Sequence, residues 1–194
     1  EVLQRAINNL KSASANFLNL NRLESGKLAL TLSPTSLRTV ALEAIMTLKP
    51  LAEAKEIQLR LESDLPETPP APVRADPEAL ALVLNNLIGN AIKYTENGGS
   101  VTARISRPEK GRSRVLFTVS DTGIGIAPQD RERILSGFYR TEASKRVSKG
   151  FGVGLMLSKE LLEKHGSRLE IESAPGKGSR FFFSLPLWAE AARA

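Results

Sequence analysis

NNLIGNAIKY, Asn85 to Tyr94, places two amides on what reads as the buried-face helix of a globular domain. Apolar residues recur at helical spacing through and before it (Leu80, Val83, Leu84, Leu87, Ile88, Ala91), and Asn86 and Asn90 stand one turn apart, so both amides leave one face. Lys93 and Tyr94 follow on the next turn. Upstream, Asp76 and Pro77 supply a helix start, with the carboxylate at the cap and proline at the first helical position. Taken alone, such amides are ordinary exposed helix side chains. What changes their meaning is the order of three glycine-bearing segments downstream: DTGIGI (Asp121 to Ile126), GFGVGL (Gly150 to Leu155) and GKGS (Gly176 to Ser179).

The chemistry of the four segments converges. Amide oxygens are hard ligands that suit Mg²⁺, which is usually shared between a few protein oxygens and substrate phosphates. A nearby lysine offers a compact charge to a phosphate. Asp121 ends an alternating apolar run (Val115, Phe117, Val119), so its carboxylate falls where a strand gives way to a loop. Gly123 and Gly125 then let the backbone approach a flat ligand closely. Gly150, Gly152 and Gly154 precede an apolar helical run, where free N–H groups at a helix start can meet an anion. A nucleotide with its metal would be served by all four.

Outward from this centre, the chain alternates between helical and strand patterns. A helix is expected from about Ser36 to Lys55, after a link through Ser33 and Pro34, and IQLRLE (Ile57 to Glu62) alternates as a strand. LPETPPAP (Leu65 to Pro72) reads as a loop. Strands are expected at Ser100 to Ser106, Arg114 to Ser120, Arg168 to Ser173 and Arg180 to Leu185. Helices are expected from about Gln129 and from Gly154 to His165. The order suggests a two-layer α/β sandwich, with helices on one face of a mixed sheet.

The four segments, in this order, resemble the catalytic and ATP-binding domain of sensor histidine kinases, within the wider ATPase group that includes gyrase and MutL. The resemblance spans about Leu10 to Leu187. It implies ATP and Mg²⁺ as cofactors, with Asn86 and Asn90 in the N box and Asn90 the leading metal ligand. Lys93 is implied to touch phosphates and Tyr94 to pack near adenine or ribose. Asp121 matches the acceptor of the adenine amino group, with Gly123, Gly125 and Ile126 beside it. Phe138, Tyr139 and Arg140 are similar to the second half of the F box, where Arg140 would reach the terminal phosphate. Gly150, Gly152, Val153, Gly154 and Leu155 match the glycine-rich end of the ATP lid. Gly176 and Gly178 match the last glycine box.

Departures from the family pattern are local. Leu135, Ser136 and Gly137 replace the usual opening of the F box, and Phe151 and Val153 replace a small polar residue and a leucine in the lid. There is also no phosphoacceptor motif, a histidine followed by an acidic residue. The only histidine, His165, precedes Gly166 at a helix end and matches a structural histidine of the family.

The N-terminal stretch explains the missing acceptor. Leu3, Ala6, Leu10, Ala13, Phe17 and Leu20 form a heptad-like stripe, and NRLESGKL (Asn21 to Leu28) resembles the end of the second helix of a dimerisation and phosphoacceptor hairpin. The expectation is a fragment of a larger sensor: residues 1–33 from that hairpin and its linker, 34–187 the ATP-binding domain, and 188–194 a tail. Such a fragment binds ATP without phosphorylating itself on histidine. The implied partners are a second copy, through the N-terminal helix, and the receiver domain of a response regulator.

Composition sets the outer limits. The 194 residues, 41% hydrophobic, suit one globular domain with an appended helix, and no run approaches the ~20 apolar residues that span a bilayer. A cytoplasmic location is expected, with membrane attachment only through segments outside this stretch. Zero cysteines exclude disulfide and thiolate chemistry. The net charge of +6 invites a nucleic-acid reading, but the basic residues cluster only around the lid (Arg131, Arg133, Arg140, Lys145, Arg146, Lys149), without the interleaved aromatic platforms of single-strand binders. Two other readings stay open: a non-enzymatic signalling module with a decayed ATP site, and a related serine kinase that binds sigma factors.

Overall fold

The computed structural model describes residues 29–65, 72–107, 113–147 and 152–188. The heptad-like stripe, the LESGK segment, Gly150 and Phe151 lie outside the described residues.

A small antiparallel ribbon opens the fold, pairing β1 (Ser33–Thr35) with β3 (Val73–Ala75). At three residues each, these strands are too short for an alternation to register in the sequence, and the stretch expected as a link is β1. Helix α1 (Leu37–Glu53) starts where the Ser36 hydroxyl accepts from Thr39 N–H, and buries Leu37, Val40, Ala41, Ala44 and Ala52. Pro50 sits exposed inside its last turns, where it cannot donate the usual N–H to Met46 O.

Strand β2 (Gln58–Ser63) pairs in parallel with β4 (Ser100–Ser106), and the crossover between them carries helix α2 (Pro77–Tyr94). Asp76 caps α2 with one oxygen on Ala79 N–H at 2.9 Å and the other on Thr31 N–H at 2.8 Å. The apolar stripe Leu80, Val83, Leu84, Leu87, Ile88, Ala91 and Ile92 is buried, as the spacing requires.

Strands β5 (Arg114–Asp121), β6 (Glu170–Ser173) and β7 (Ser179–Pro186) complete a mixed sheet in the order β2-β4-β5-β7-β6. Alternation sends Val101, Ala103, Ile105, Val115, Phe117, Val119, Phe181, Phe183 and Leu185 to the helix-covered face. Phe117 and Phe183 are register partners with ring centroids 5.5 Å apart. Burying each such side chain contributes about 1.5–3 kcal/mol, so this face dominates the stability. The opposite face carries solvent-exposed ion pairs, Arg104 with Asp64 and Arg180 with Glu172, which contribute little.

Between β5 and β6 the chain makes two 3₁₀ turns (Pro128–Asp130 and Arg133–Leu135), a short helix α3 (Glu142–Val147) and helix α4 (Gly154–Lys164). The sequence pattern suggested one helix from Gln129; the two turns form instead, and α3 was not foreseen. Among the described residues, no helix is long and apolar enough to cross a membrane.

Candidate functional site

The site lies where the C-terminal end of α2, the loop after β5 and the turn between β6 and β7 meet. Asp121 is the last residue of β5 and the register partner of Ser179 on β7. Its Oδ1 accepts from Gly123 N–H at 2.9 Å and Ser179 N–H at 3.2 Å, which fixes the carboxylate plane. Its Oδ2 has no partner among the described residues, so the carboxylate presents one fixed acceptor. Burial pushes its pKa above the ordinary carboxylate range, and the two backbone N–H groups draw it partly back.

Backbone packing leaves no room for side chains around this acceptor. A Cβ on Gly123 would stand 2.4 Å from the Tyr94 carbonyl oxygen, and Ile124 N–H donates to that same oxygen at 3.2 Å. Gly178 has φ +74°, and a Cβ there would stand 1.9 Å from Asp121 O. The β6–β7 turn is tied on by Gly178 N–H to Gly123 O at 3.1 Å and Gly176 N–H to Ile124 O at 2.9 Å. Ile126 N–H donates to Ser173 Oγ at 2.8 Å, and Gly125 backs onto Ala174.

The other end of the site is the polar face of α2. Adjacent asparagines behave differently there. Asn85 spends its amide on its own helix, at Ala81 O, 2.8 Å away. Asn86 reaches instead across to the first residue of α4, Gly154 O, at 3.5 Å. The half-buried Asn90 amide has no partner among the described residues. Lys93 holds its ammonium 5.2 Å from the centre of the Tyr94 ring. Val153 is buried at the cap of α4, which starts without a side-chain cap, leaving the first N–H groups of Gly154 and Leu155 without that partner.

The lid enters and leaves through a narrow neck. Phe138 N–H donates to Gly152 O at 3.2 Å, and a Cβ on Gly152 would meet Tyr139 O at 2.8 Å. Tyr139 donates its hydroxyl to Asp130 Oδ1 at 2.7 Å, with the Arg133 guanidinium 4.1 Å from its ring centre. That hydrogen bond pushes the phenol pKa up. Arg140 donates to Ser144 O at 2.7 Å, within the lid segment. The structure therefore places Asn86, Asn90, Lys93 and Tyr94 on α2, Val153, Gly154 and Leu155 at the start of α4 beside Asn86, Asp121 and Gly123 beside the end of α2, and Gly125 and Ile126 against the β6–β7 turn. Tyr139, Arg140 and Gly152 stand at the lid neck.

Sequence reading missed two contributors. The Ser179 N–H that orients Asp121 is a backbone group, so only strand register could have exposed it. Lys55 reaches the end of α2 from the α1–β2 turn, 37 residues away in sequence, without any local pattern. His165, by contrast, is where a structural histidine belongs, buried with both ring nitrogens engaged.

The donor set fits a magnesium nucleotide: a pinned carboxylate acceptor at one end, and at the other an amide oxygen without a partner among the described residues, a second amide and a lysine ammonium. Comparison with known proteins points to a nucleotide. Residues 75–189 match the profile described as histidine kinase-, DNA gyrase B-, and HSP90-like ATPase. The circadian input-output histidine kinase CikA of Synechococcus elongatus is 40% identical over 87% of this chain, which spans 22% of that protein. The crystal structure of full-length ShkA in complex with AMPPNP superposes with a TM-score of 0.80 at 28% identity, over 96% of this chain and 37% of ShkA. The kinase ThkA, in its crystal structure with the response regulator TrrA, shares the fold with a TM-score of 0.72 at 22% identity, over 98% of this chain and 53% of ThkA.

Proposed function

The chain belongs to the histidine kinase-, DNA gyrase B- and HSP90-like ATPase family as an ATP-binding catalytic domain of the sensor histidine kinase type, and from that premise we propose what its residues do. The intact protein transfers the γ-phosphate of ATP to a histidine on its dimerisation helices and onward to an aspartate of a response regulator receiver domain. It works as a cytoplasmic homodimer through the N-terminal helix, with residues 34–187 forming the ATP-binding domain.

One observation carries the site assignment. Asp121 is held by two backbone N–H groups on Oδ1 with Oδ2 open, so it accepts from the amino group of adenine without reorganising. Asn90, with Asn86 as a second amide, would hold the metal through side-chain oxygen. Lys93 leaves the Tyr94 face to meet a phosphate, and Tyr94 then covers the base or ribose. Arg140, released from Ser144 O, approaches the terminal phosphate as the lid closes. Mg²⁺, when bound, supplies the charge neutralisation that phosphoryl transfer needs.

Titration calorimetry of this chain with ATP, with and without Mg²⁺, tests the reading. Mg²⁺-linked binding in the wild type that is lost in Asn90→Ala supports it. A folded wild-type chain that takes up no ATP would instead establish the decayed-site alternative.

A further inference from the structure

The last turn of α2 carries Lys93 and Tyr94, and Asn90 lies one turn earlier. A helix end leaves four carbonyls without intrahelical partners. Here each of the four has one. Ala91 O accepts from Thr95 N–H at 3.0 Å and from Thr95 Oγ1 at 2.7 Å. Tyr94 O accepts from Ile124 N–H at 3.2 Å. Ile92 O and Lys93 O accept from the Lys55 ammonium at 2.9 and 3.1 Å, and the same nitrogen donates to Thr95 O just beyond the helix.

The usual helix stop is missing at this place. Thr95 is extended (φ −84°, ψ 138°), and no left-handed glycine follows directly to turn the chain back on the carbonyls. Lys55 substitutes for it from another element. Its own carbonyl accepts from Gly98 N–H at 3.0 Å, so the loop after α2 is held from both the backbone and the side chain of one residue. A positive charge at a helix C-terminus also complements the dipole. Partial burial pushes the ammonium pKa down, opposed by the charge of Glu96. Three converging carbonyls take all three of its N–H donors.

We propose that Lys55 is a positioning residue for the phosphate end of the nucleotide site: by closing α2 it sets where Asn90 and Lys93 stand. The inference rests on the nucleotide-site reading above. The adenine end has its own support, since Asp121 is fixed by Gly123 and Ser179, neither of which touches Lys55. A positioning role therefore acts unequally on the two ends of the ligand. A merely structural role does not.

The test compares wild type, Lys55→Met, Lys55→Arg and the exposed control Lys49→Met. Calorimetry with Mg·ATP and displacement by adenosine are run at a temperature where circular dichroism shows each chain folded. Lys55→Met is expected to lower Mg·ATP affinity by about tenfold or more, the range seen when groups supporting a metal site are removed. Adenosine affinity falls by much less, since Asp121 stays fixed while Tyr94 shares the helix end, Lys55→Arg recovers most of the loss, and Lys49→Met changes neither. If Lys55→Met does not fold, Lys55→Gln, which keeps two donors, is judged by the same comparison. Equal losses for Mg·ATP and adenosine, or no loss in a folded variant, overturn the inference while leaving the site assignment standing. Absence of Mg·ATP binding by the wild type overturns the site assignment, and this inference with it.

Discussion

The backbone N–H of Asp76 donates to Nε2 of His165 at 3.0 Å, while Nδ1 of the same ring meets Leu161 O at 2.7 Å. A carbonyl only accepts and an amide N–H only donates, so the ring is the neutral Nδ1–H tautomer with no nitrogen to spare. It latches the end of α4 to the start of α2. His165→Ala is expected to cost about 2–4 kcal/mol in urea unfolding, from two lost hydrogen bonds and a cavity. The same burial removes this histidine as a phosphoacceptor. Incubated with labelled ATP, the chain alone should carry no acid-labile label, and such a label on His165 would contradict the latch.

Asp121→Asn separates stability from binding. Because burial raises the folded-state pKa of Asp121, the folded chain holds a proton that the unfolded chain releases between the ordinary carboxylate range and the raised value. Stability from this group is present below that window and lost as pH rises through it. Asparagine keeps an acceptor for Gly123 and Ser179 N–H without the buried charge, so the variant should melt higher at pH 7, with the gain shrinking in acid. ATP affinity should fall roughly tenfold to a hundredfold, since an amide N–H₂ now faces the adenine amino group. Thermal melts across pH and calorimetry read the two effects separately.

Gly176 and Gly178 both hold left-handed backbone, at φ +69° and +74°, but in different surroundings. Nothing lies within 4 Å of a Cβ on Gly176, so Gly176→Ala should cost only the conformational penalty, about 1–2 kcal/mol. On Gly178 the same atom meets Asp121 O at 1.9 Å, a backbone atom that cannot step aside. Gly178→Ala should therefore cost more and should weaken ATP binding, because the clash displaces Asp121. Equal unfolding midpoints for the two variants would refute the packing argument.

Tyr139 reports on the lid neck. With its hydroxyl on Asp130, the phenol ionises later than a free tyrosine, and Asp130→Asn should return it towards the ordinary range in a spectrophotometric titration. The contribution to stability is small. Tyr139→Phe should shift the unfolding midpoint only slightly, which a urea titration checks.

The long elements were legible because burial forces periodicity. The stripe from Leu80 to Ile92 and the alternation of Val115, Phe117 and Val119 each give one face away. Asp76 with Pro77, and Asn86 with Asn90, could likewise be read from spacing within one helix. What stayed hidden depends on partners distant in sequence. β1 exists only because Val73–Ala75 runs beside it, Ser179 contributes a backbone N–H by register, and Lys55 serves a helix end that its own neighbours do not indicate. The stretch from Gln129 resembles a helix start, yet it turns twice as 3₁₀ before Gly137 and Phe138, both at positive φ, redirect the chain into the lid.

The Phe138 to Gly152 hydrogen bond means that the ends of the lid are already joined in the folded chain. Loop closure is then settled during folding and adds nothing to the cost of capturing a ligand. Doubling the span between these two residues would add only about 0.6 kcal/mol of chain entropy. Insertions and deletions there should consequently change how long a nucleotide is retained far more than whether the domain folds, leaving the lid free to diverge in length among proteins that keep the same scaffold.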